Sequence, residues 1–273
     1  IDQKRRVHFH EFMSEVHERI HDFRQKAKAG EIPDEDAIVL TANAIADDAF
    51  SAAREAYQHA GEPLAAAAVV GPHVAVRHLL GDDLEARAAR LRGALQEISA
   101  PPGLHEPSVD PAADRVRARL LAALSAAYML DRRLDESVSY GMEARRLAVV
   151  VADRATEHDA AATIGSCFVF AGRMDEGWSL LEGAIAGARV DHHEAQAARA
   201  YRMLGSCASV LVEYERAERW LREGIDAAER HELWNHRHYM AAHLAHVAWA
   251  TGRWEEADEI ARRALADGRG GIT

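Results

Sequence analysis

The second half of the chain alternates apolar and polar stretches with a fixed beat. Four short polar turns mark it: D-R-R-L-D-E-S (131–137), A-G-R-M-D-E-G (171–177), L-V-E-Y-E-R-A (211–217) and T-G-R-W-E-E-A (251–257). Their equivalent positions Leu134, Met174, Tyr214 and Trp254 fall 40 residues apart. Other positions keep the same register. Ser125, Gly165, Gly205 and Ala245 lie upstream of the turns, with Tyr128, Phe168, Ala208 and Ala248 just after them. Ser137, Gly177, Ala217 and Ala257 lie downstream, followed by Ala144, Ala184, Gly224 and Ala264. Small residues at fixed helical positions let two helices approach, and large residues between them fill the gaps. Each unit therefore reads as helix A, a short turn, then helix B. Repetition of such hairpins predicts an all-α solenoid with a 40-residue period.

Ahead of the array the pattern is less regular. Residues 11–28 form an amphipathic helix, with Phe12, Val16, Ile20 and Phe23 as its apolar stripe. R-R-V-H-F-H (5–10) alternates like a short strand, and G-E-I-P-D-E-D (30–36) is a polar loop. Residues 41–60 are helical, and 62–80 are helical but broken or kinked at Gly71-Pro72. Residues 82–99 make an amphipathic helix, with Asp82 and Asp83 at its positive end. P-P-G-L-H-E-P-S-V-D-P (101–111) is a loop.

The small positions Gly205, Ala217 and Gly224, spaced by 12 and 7, resemble those of the tetratricopeptide repeat. The usual period of that repeat is about 34 residues. The extra length here implies longer helices or longer loops between repeats. Segments such as A-G-R-M-D-E-G-W-S-L-L-E-G-A-I and E-R-A-E-R-W-L-R-E-G-I-D-A-A-E-R also look like the repeat region of LuxR/MalT-type ATP-dependent transcriptional activators. That likeness covers about 51–273 and implies a helical-repeat module of a larger regulator. K-R-R-V-H-F-H-E-F-M-S-E-V-H-E-R-I-H (4–21) resembles a segment of the ZapE-type cell-division ATPases. No G-x-x-x-x-G-K-[ST] accompanies it. After Ala49-Phe50 the chain continues into S-A-A-R-E-A-Y-Q-H-A-G, where that family would enter a strand ending in Asp-Glu. The expected organisation is an ATPase-like segment at 1–50, irregular hairpins and a linker at 51–110, and the repeat array at 111–273.

Composition narrows the function. Hydrophobic residues make up 48% of the chain but aromatics only 6%, which suits close-packed Ala- and Leu-rich helices. A net charge of −11 argues against nucleic-acid or anionic-membrane binding. No apolar run approaches the ~18 residues of a membrane helix. Cys167 and Cys207 are the only cysteines, which argues for a reducing compartment and a cytoplasmic protein. They share one repeat position, in the same tripeptide G-S-C, where neighbouring helices are too far apart for a disulfide. Two free, buried thiols are expected. The chain opens on Ile1 and ends in G-R-G-G-I-T, and a piece of a longer protein is expected.

Candidate chemistry is sparse. His17, Glu18 and His21 spell H-E-x-x-H, the zinc-peptidase spacing, and His10 shares their face. The extended motif needs a glycine where Arg24 stands, and no third ligand is evident. A surface role is the favoured reading of these residues, with a zinc hydrolase as the weaker alternative. His236, His238, His243 and His246 form a second cluster, read as a polar helix face. No cofactor, catalytic residue or metal is expected. What remains is the inner groove that helix A lines in tetratricopeptide arrays. The resemblance places Arg119, Ala126 and Met129 there, then Asp159, Ser166 and Val169. Arg199, Arg202, Ser206 and Ser209 follow, then Tyr239, His246 and Trp249. Arg, Ser, Tyr and Trp suit a protein, a peptide or a small acidic ligand. Arg199 and Arg202 are the expected anchors of a carboxylate. Self-association is a further use of such a surface. The expected function is a non-catalytic binding module, and the rival is a partial ZapE-type ATPase.

Overall fold

The computed structural model describes residues 9–31, 37–98 and 110–266, which hold thirteen helices and no strand. Contacts group them into two units. The first holds α1 (Phe9–Lys28), α2 (Ala37–His59), α3 (Pro63–Ala68), α4 (Val70–Leu79) and α5 (Leu84–Glu97). In it α1 packs on α2, α2 on α3 and α4, and α5 on both α3 and α4. Arg19 ties α1 to α2 through Asp48 at 2.6 Å, and His73 of α4 reaches Asp47 of α2 at 2.6 Å.

Two expectations change in this unit. Phe9 and His10 open α1 instead of closing a strand, while residues 5–8 lie outside the described residues. The helical period that runs through Phe12, Val16, Ile20 and Phe23 outweighs a brief alternation. The break between α3 and α4 falls at Val69, ahead of Gly71-Pro72. Pro72 is thereby placed in the first turn of α4, where its missing N–H leaves no helical bond unmade. The junction expected at residue 50 lies inside α2, which runs unbroken from Ala37 to His59.

The second unit is the array: α6 (Pro111–Leu130), α7 (Leu134–Val150), α8 (Arg154–Phe170), α9 (Met174–Val190), α10 (Glu194–Val210), α11 (Tyr214–Arg230), α12 (Trp234–Ala250) and α13 (Trp254–Ala266). Asp110 caps α6 by accepting from the Ala112 amide, with Pro111 as first helical residue. Helices α7 to α12 are each 17 residues long. All joints are three-residue turns, so the length beyond an ordinary tetratricopeptide unit lies in the helices and not in the loops.

Every joint has the same backbone. The middle residue has positive φ at Arg132, Ala152, Gly172, His192, Val212, Glu232 and Gly252. The amide of the next residue bonds the carbonyl five residues back, as in Arg133→Tyr128 at 3.0 Å and Arg173→Phe168 at 2.8 Å. The middle amide bonds three back, as in Arg132→Met129 at 3.1 Å. This is the Schellman closure, which satisfies carbonyls that the helix end leaves open. After the A-to-B turns an ion pair clamps the start of helix B. It joins Arg133 to Glu136, Arg173 to Glu176 and Arg253 to Glu256, and in the third repeat its charges are exchanged as Glu213 and Arg216.

Within each hairpin the small positions meet. A Cβ on Gly177 would lie 2.7 Å from the Gly165 carbonyl oxygen, so α8 and α9 touch backbone to backbone. Ser125 and Ser137 hold the same place in α6 and α7. Each donates its hydroxyl to the other's carbonyl, at 2.7 and 2.8 Å. A Cβ on Gly224 would meet Tyr201 at 2.8 Å, so the downstream small position seats helix A of the same repeat. Helix A of one repeat also packs on helix A of the next, α6 on α8, α8 on α10 and α10 on α12. The B helices α7, α9, α11 and α13 make no such mutual backbone approach among the described residues. Long ion pairs join them instead: Arg216–Glu182 at 3.0 Å, Arg189–Glu223 at 3.1 Å and Arg222–Glu256 at 2.5 Å. The array is a tetratricopeptide-like α-solenoid with its A helices in the closer layer.

Two measurements check these constraints. Val212 is β-branched and holds φ at 67°. Val212→Gly should raise unfolding stability by about 1 kcal/mol. Gly172→Ala should lower it by about the same amount, although a Cβ there would meet nothing within 4 Å. Urea titrations of both variants test this, and equal midpoints would contradict it. Glu218 accepts from Arg253 at 2.7 Å and Arg222 at 2.8 Å, and these bonds hold its carboxyl down to about 2. A depressed folded pKa stabilises above the unfolded value and loses that contribution as pH falls. The stability gap between wild type and Glu218→Gln should therefore be full at pH 7 and close between pH 4.5 and about 2. Thermal melts across that window measure it.

Candidate functional site

The A-helix residues predicted to line a groove fall into two groups. In the first, charges are already matched. Arg119 donates to Asp153 at 2.8 Å, and the buried Asp153 carboxylate also caps α8 through the Thr156 amide. Arg199 donates to the Asp159 carbonyl at 3.0 Å and to Thr163 Oγ1 at 2.9 Å, and it pairs with the Asp159 carboxylate at 3.4 Å. Gln196 reaches the other Asp159 oxygen at 3.3 Å. Arg199 is thus a strut from α10 to α8 and not a free anchor. Ala126 and Met129 are half-buried, while Ser166, Val169 and Ser209 are buried. Ser166 and Ser209 therefore lie beneath the face instead of on it.

The second group is gathered on α10 and α12. Arg202 is half-buried and makes no hydrogen bond or ion pair among the described residues. Its guanidinium lies over the Tyr239 ring, 5.0 Å from the centroid. Burial pulls its pKa down, and the like charge of Arg199 adds to this. One turn along α10, Ser206 turns its hydroxyl back to the Met203 carbonyl at 3.2 Å. On α12 the Tyr239 and His243 rings lie 5.0 Å apart, and His246 and Trp249 lie 6.1 Å apart. Trp249 is 61% exposed and ends the row. His246 also meets Tyr214 edge-on, and Tyr214 lines an open depression of about 790 Å³ with Trp220 and Arg219.

His236 belongs to this site and stands outside the predicted groove set. It precedes Tyr239 by three residues, which places it on the same helix face. Burial first, then the charges of Arg202 and Arg199, push its imidazole down to about 4. Its buried Nδ1 has no hydrogen-bond partner. The ring is neutral at pH 7, so Arg202 carries the local charge. His243 is likewise pulled down by burial and by His246. His236, His238, His243 and His246 do not converge on a metal-sized centre among the described residues. His238 Nδ1 is bonded to the Trp234 carbonyl at 2.7 Å.

His17, Glu18 and His21 are exposed on α1, and no further ligand joins them among the described residues. The side chain of His10 lies outside those residues. Behind the A-helix face both cysteines are free and buried. Cys167 donates to Ser137 Oγ at 3.2 Å, and burial pushes its pKa up. The Cys207 thiol, facing Ser166, is pushed up to about 11, again by burial.

No protein-family model and no curated protein matches the chain. Its fold is similar to that of several solved structures. BtubC (BKLC) from P. vanneervenii is 16% identical, with a TM-score of 0.58 over 84% of this chain and 90% of that one. A Rap protein complexed with Competence and Sporulation Factor is 14% identical, with a TM-score of 0.63 over 97% of this chain and 67% of that one. Aspartyl phosphate phosphatase F from Bacillus subtilis is 9% identical, with a TM-score of 0.55 over 87% and 72%. At these identities the likeness shows the helical-repeat fold alone. No helix among the described residues is long and apolar enough to cross a membrane.

The thiols give a direct check of the register. At pH 8 a thiol-reactive dye should leave the native chain unlabelled over minutes and label both cysteines in denaturant. Fast native labelling, or a Cys167–Cys207 bridge in non-reducing mass spectrometry, would contradict the packing described.

Proposed function

We propose that the chain is a non-catalytic binding module whose A-helix face on α10 and α12 receives an acidic peptide or protein segment. One observation carries this reading: the half-buried Arg202 guanidinium has no carboxylate of its own, whereas Arg199, one turn away, has two acceptors on α8. A cation withdrawn from water without a counter-charge is unfavourable unless an anion completes it. Tyr239 beneath it and the rings leading to the exposed Trp249 offer apolar and stacking contacts beside that charge. The fold supports the reading too, since helical-repeat arrays offer extended surfaces. A structurally similar Rap protein is complexed with Competence and Sporulation Factor. The likeness of residues 51–273 to LuxR/MalT-type activators supports placing the module in a larger cytoplasmic regulator whose output it biases. The likeness of residues 1–50 to ZapE-type ATPases suits a segment of ATPase origin that carries no catalysis.

Fluorescence anisotropy with a labelled oligo-glutamate peptide tests the site. Arg202→Met keeps the stem over Tyr239 and removes the charge. It should weaken binding at least tenfold, since a hydrogen bond to a charged group is worth about 1.5–3 kcal/mol. It should leave the melting temperature unchanged or higher, because it removes an unpaired charge. Arg199→Met should instead lower the melting temperature by breaking the strut to α8. Unchanged peptide affinity in Arg202→Met would overturn the proposal.

A further inference from the structure

One side-chain cluster lies apart from the A-helix groove. His158 stands in the second turn of α8, and Asp191 and His193 lie in the turn between α9 and α10. One ring nitrogen of each histidine and a carboxylate oxygen of Asp191 all lie within 4.8 Å of one another. His158 is buried, and the other two are half-buried. The fold makes room for this approach. A Cβ on Gly187 would stand 2.6 Å from His158 Cε1, so glycine at that place in α9 leaves the room that the imidazole occupies. The His158 and His193 rings lie 6.0 Å apart.

A structural ion pair alone does not account for the cluster. His158 Nε2 meets Asp191 Oδ2 at 2.7 Å, and Arg154 Nε donates to the same oxygen at 2.9 Å. That pair is complete without His193. Yet His193 is brought alongside, and its buried Nδ1 has no hydrogen-bond partner. Forty residues earlier the same three places hold Ala118, Val151 and Asp153, and forty later Ala198, His231 and Leu233. The three ligating types occur together in this repeat and not in those on either side.

We propose that His158, Asp191 and His193 form a binding site for a divalent transition metal of the zinc class. Two imidazoles and one carboxylate are a donor set that zinc accepts, with a fourth position left for water. Zinc bonds of about 2.0–2.1 Å place tetrahedral ligand atoms about 3.4 Å apart. His158 and Asp191 are closer than this and must part slightly, while the widest pair must close. Rotation of the turn side chains supplies both movements. The proton on the nitrogen that coordinates must leave it, either to the other nitrogen of the ring or to solvent. Asp191 has two carboxylate oxygens, so one can take the metal while the other stays with Arg154, which orients the ligand. The ion joins α8 to the turn that enters α10, and so fixes one repeat against the next.

The full chain, stripped with a chelator, should be titrated with zinc by calorimetry and with cobalt by visible absorption. One equivalent of zinc should bind in the micromolar range or tighter, and cobalt should give an intense tetrahedral band. His193→Ala and Asp191→Asn should each weaken zinc binding at least tenfold and abolish that band. The metal-free melting temperature should be unchanged in His193→Ala and lower in Asp191→Asn, which loses the charge that His158 and Arg154 share. Should His193→Ala prove unstable, His193→Gln serves in its place. His17→Ala/His21→Ala should bind zinc as wild type does. Zinc binding that survives both site variants, binding lost in His17→Ala/His21→Ala instead, or no saturable site at all would overturn the proposal. None of these outcomes bears on the oligo-glutamate titration, so the groove and the metal site stand or fall separately.

Discussion

The array depends on how closely two helices can approach at one level of each hairpin. At Gly165 and Gly177 the two backbones touch, and no side chain fits between them. Ser125 and Ser137 solve the same crossing differently. Each hydroxyl spans the gap to the other's carbonyl, so two polar side chains enter a fully buried contact without an unpaired atom. Once the crossing is fixed, leucines above and below it are buried by geometry, and Leu124, Ile164, Leu181, Leu204 and Leu221 are almost wholly excluded from water. The tight crossing also explains the composition, since alanine and glycine set the spacing while few aromatics are needed to fill it.

Much of this was legible because a repeat states its rules several times over. The small positions and the A-to-B turns recur in four hairpins, and each recurrence strengthens the others. The B-to-A turns were harder to read. V-A-D (151–153), D-H-H (191–193) and H-E-L (231–233) carry no glycine or proline, yet they adopt the backbone of A-G-R (171–173) and T-G-R (251–253). There the Schellman hydrogen bonds and the packing of the flanking helices hold Ala152, His192 and Glu232 in a conformation that their own side chains disfavour. Local propensity hides such turns, and the symmetry of the array reveals them.

The groove residues show a second limit. Arg199 and Arg202 are one turn apart on α10 and look interchangeable in sequence. Which of them finds an acceptor is decided by α8, where Asp159 and Thr163 stand opposite Arg199. No periodicity within α10 carries that information. The same holds for Ser166 and Ser209. Register transfer placed them on the surface, but the close layer of A helices buries them. His236 is the converse case. It stands in a histidine-rich stretch that reads as a polar face, and burial, helped by the repulsion of two arginines, makes it a neutral ring beside the charge.

The distribution of charge follows from the packing, in which the A helices approach one another while the B helices stand apart. On the open side, long Arg–Glu pairs can span from one B helix to the next, and they do so at Glu182, Glu223 and Glu256. On the close side there is less room for such pairs. A cation there either finds a short contact on the next helix, as Arg199 does, or remains against an aromatic ring, as Arg202 does. The acidic chain thus spends much of its negative charge on the outer layer and at helix starts. The unpaired positive charge on the inner layer is a consequence of where the carboxylates can reach.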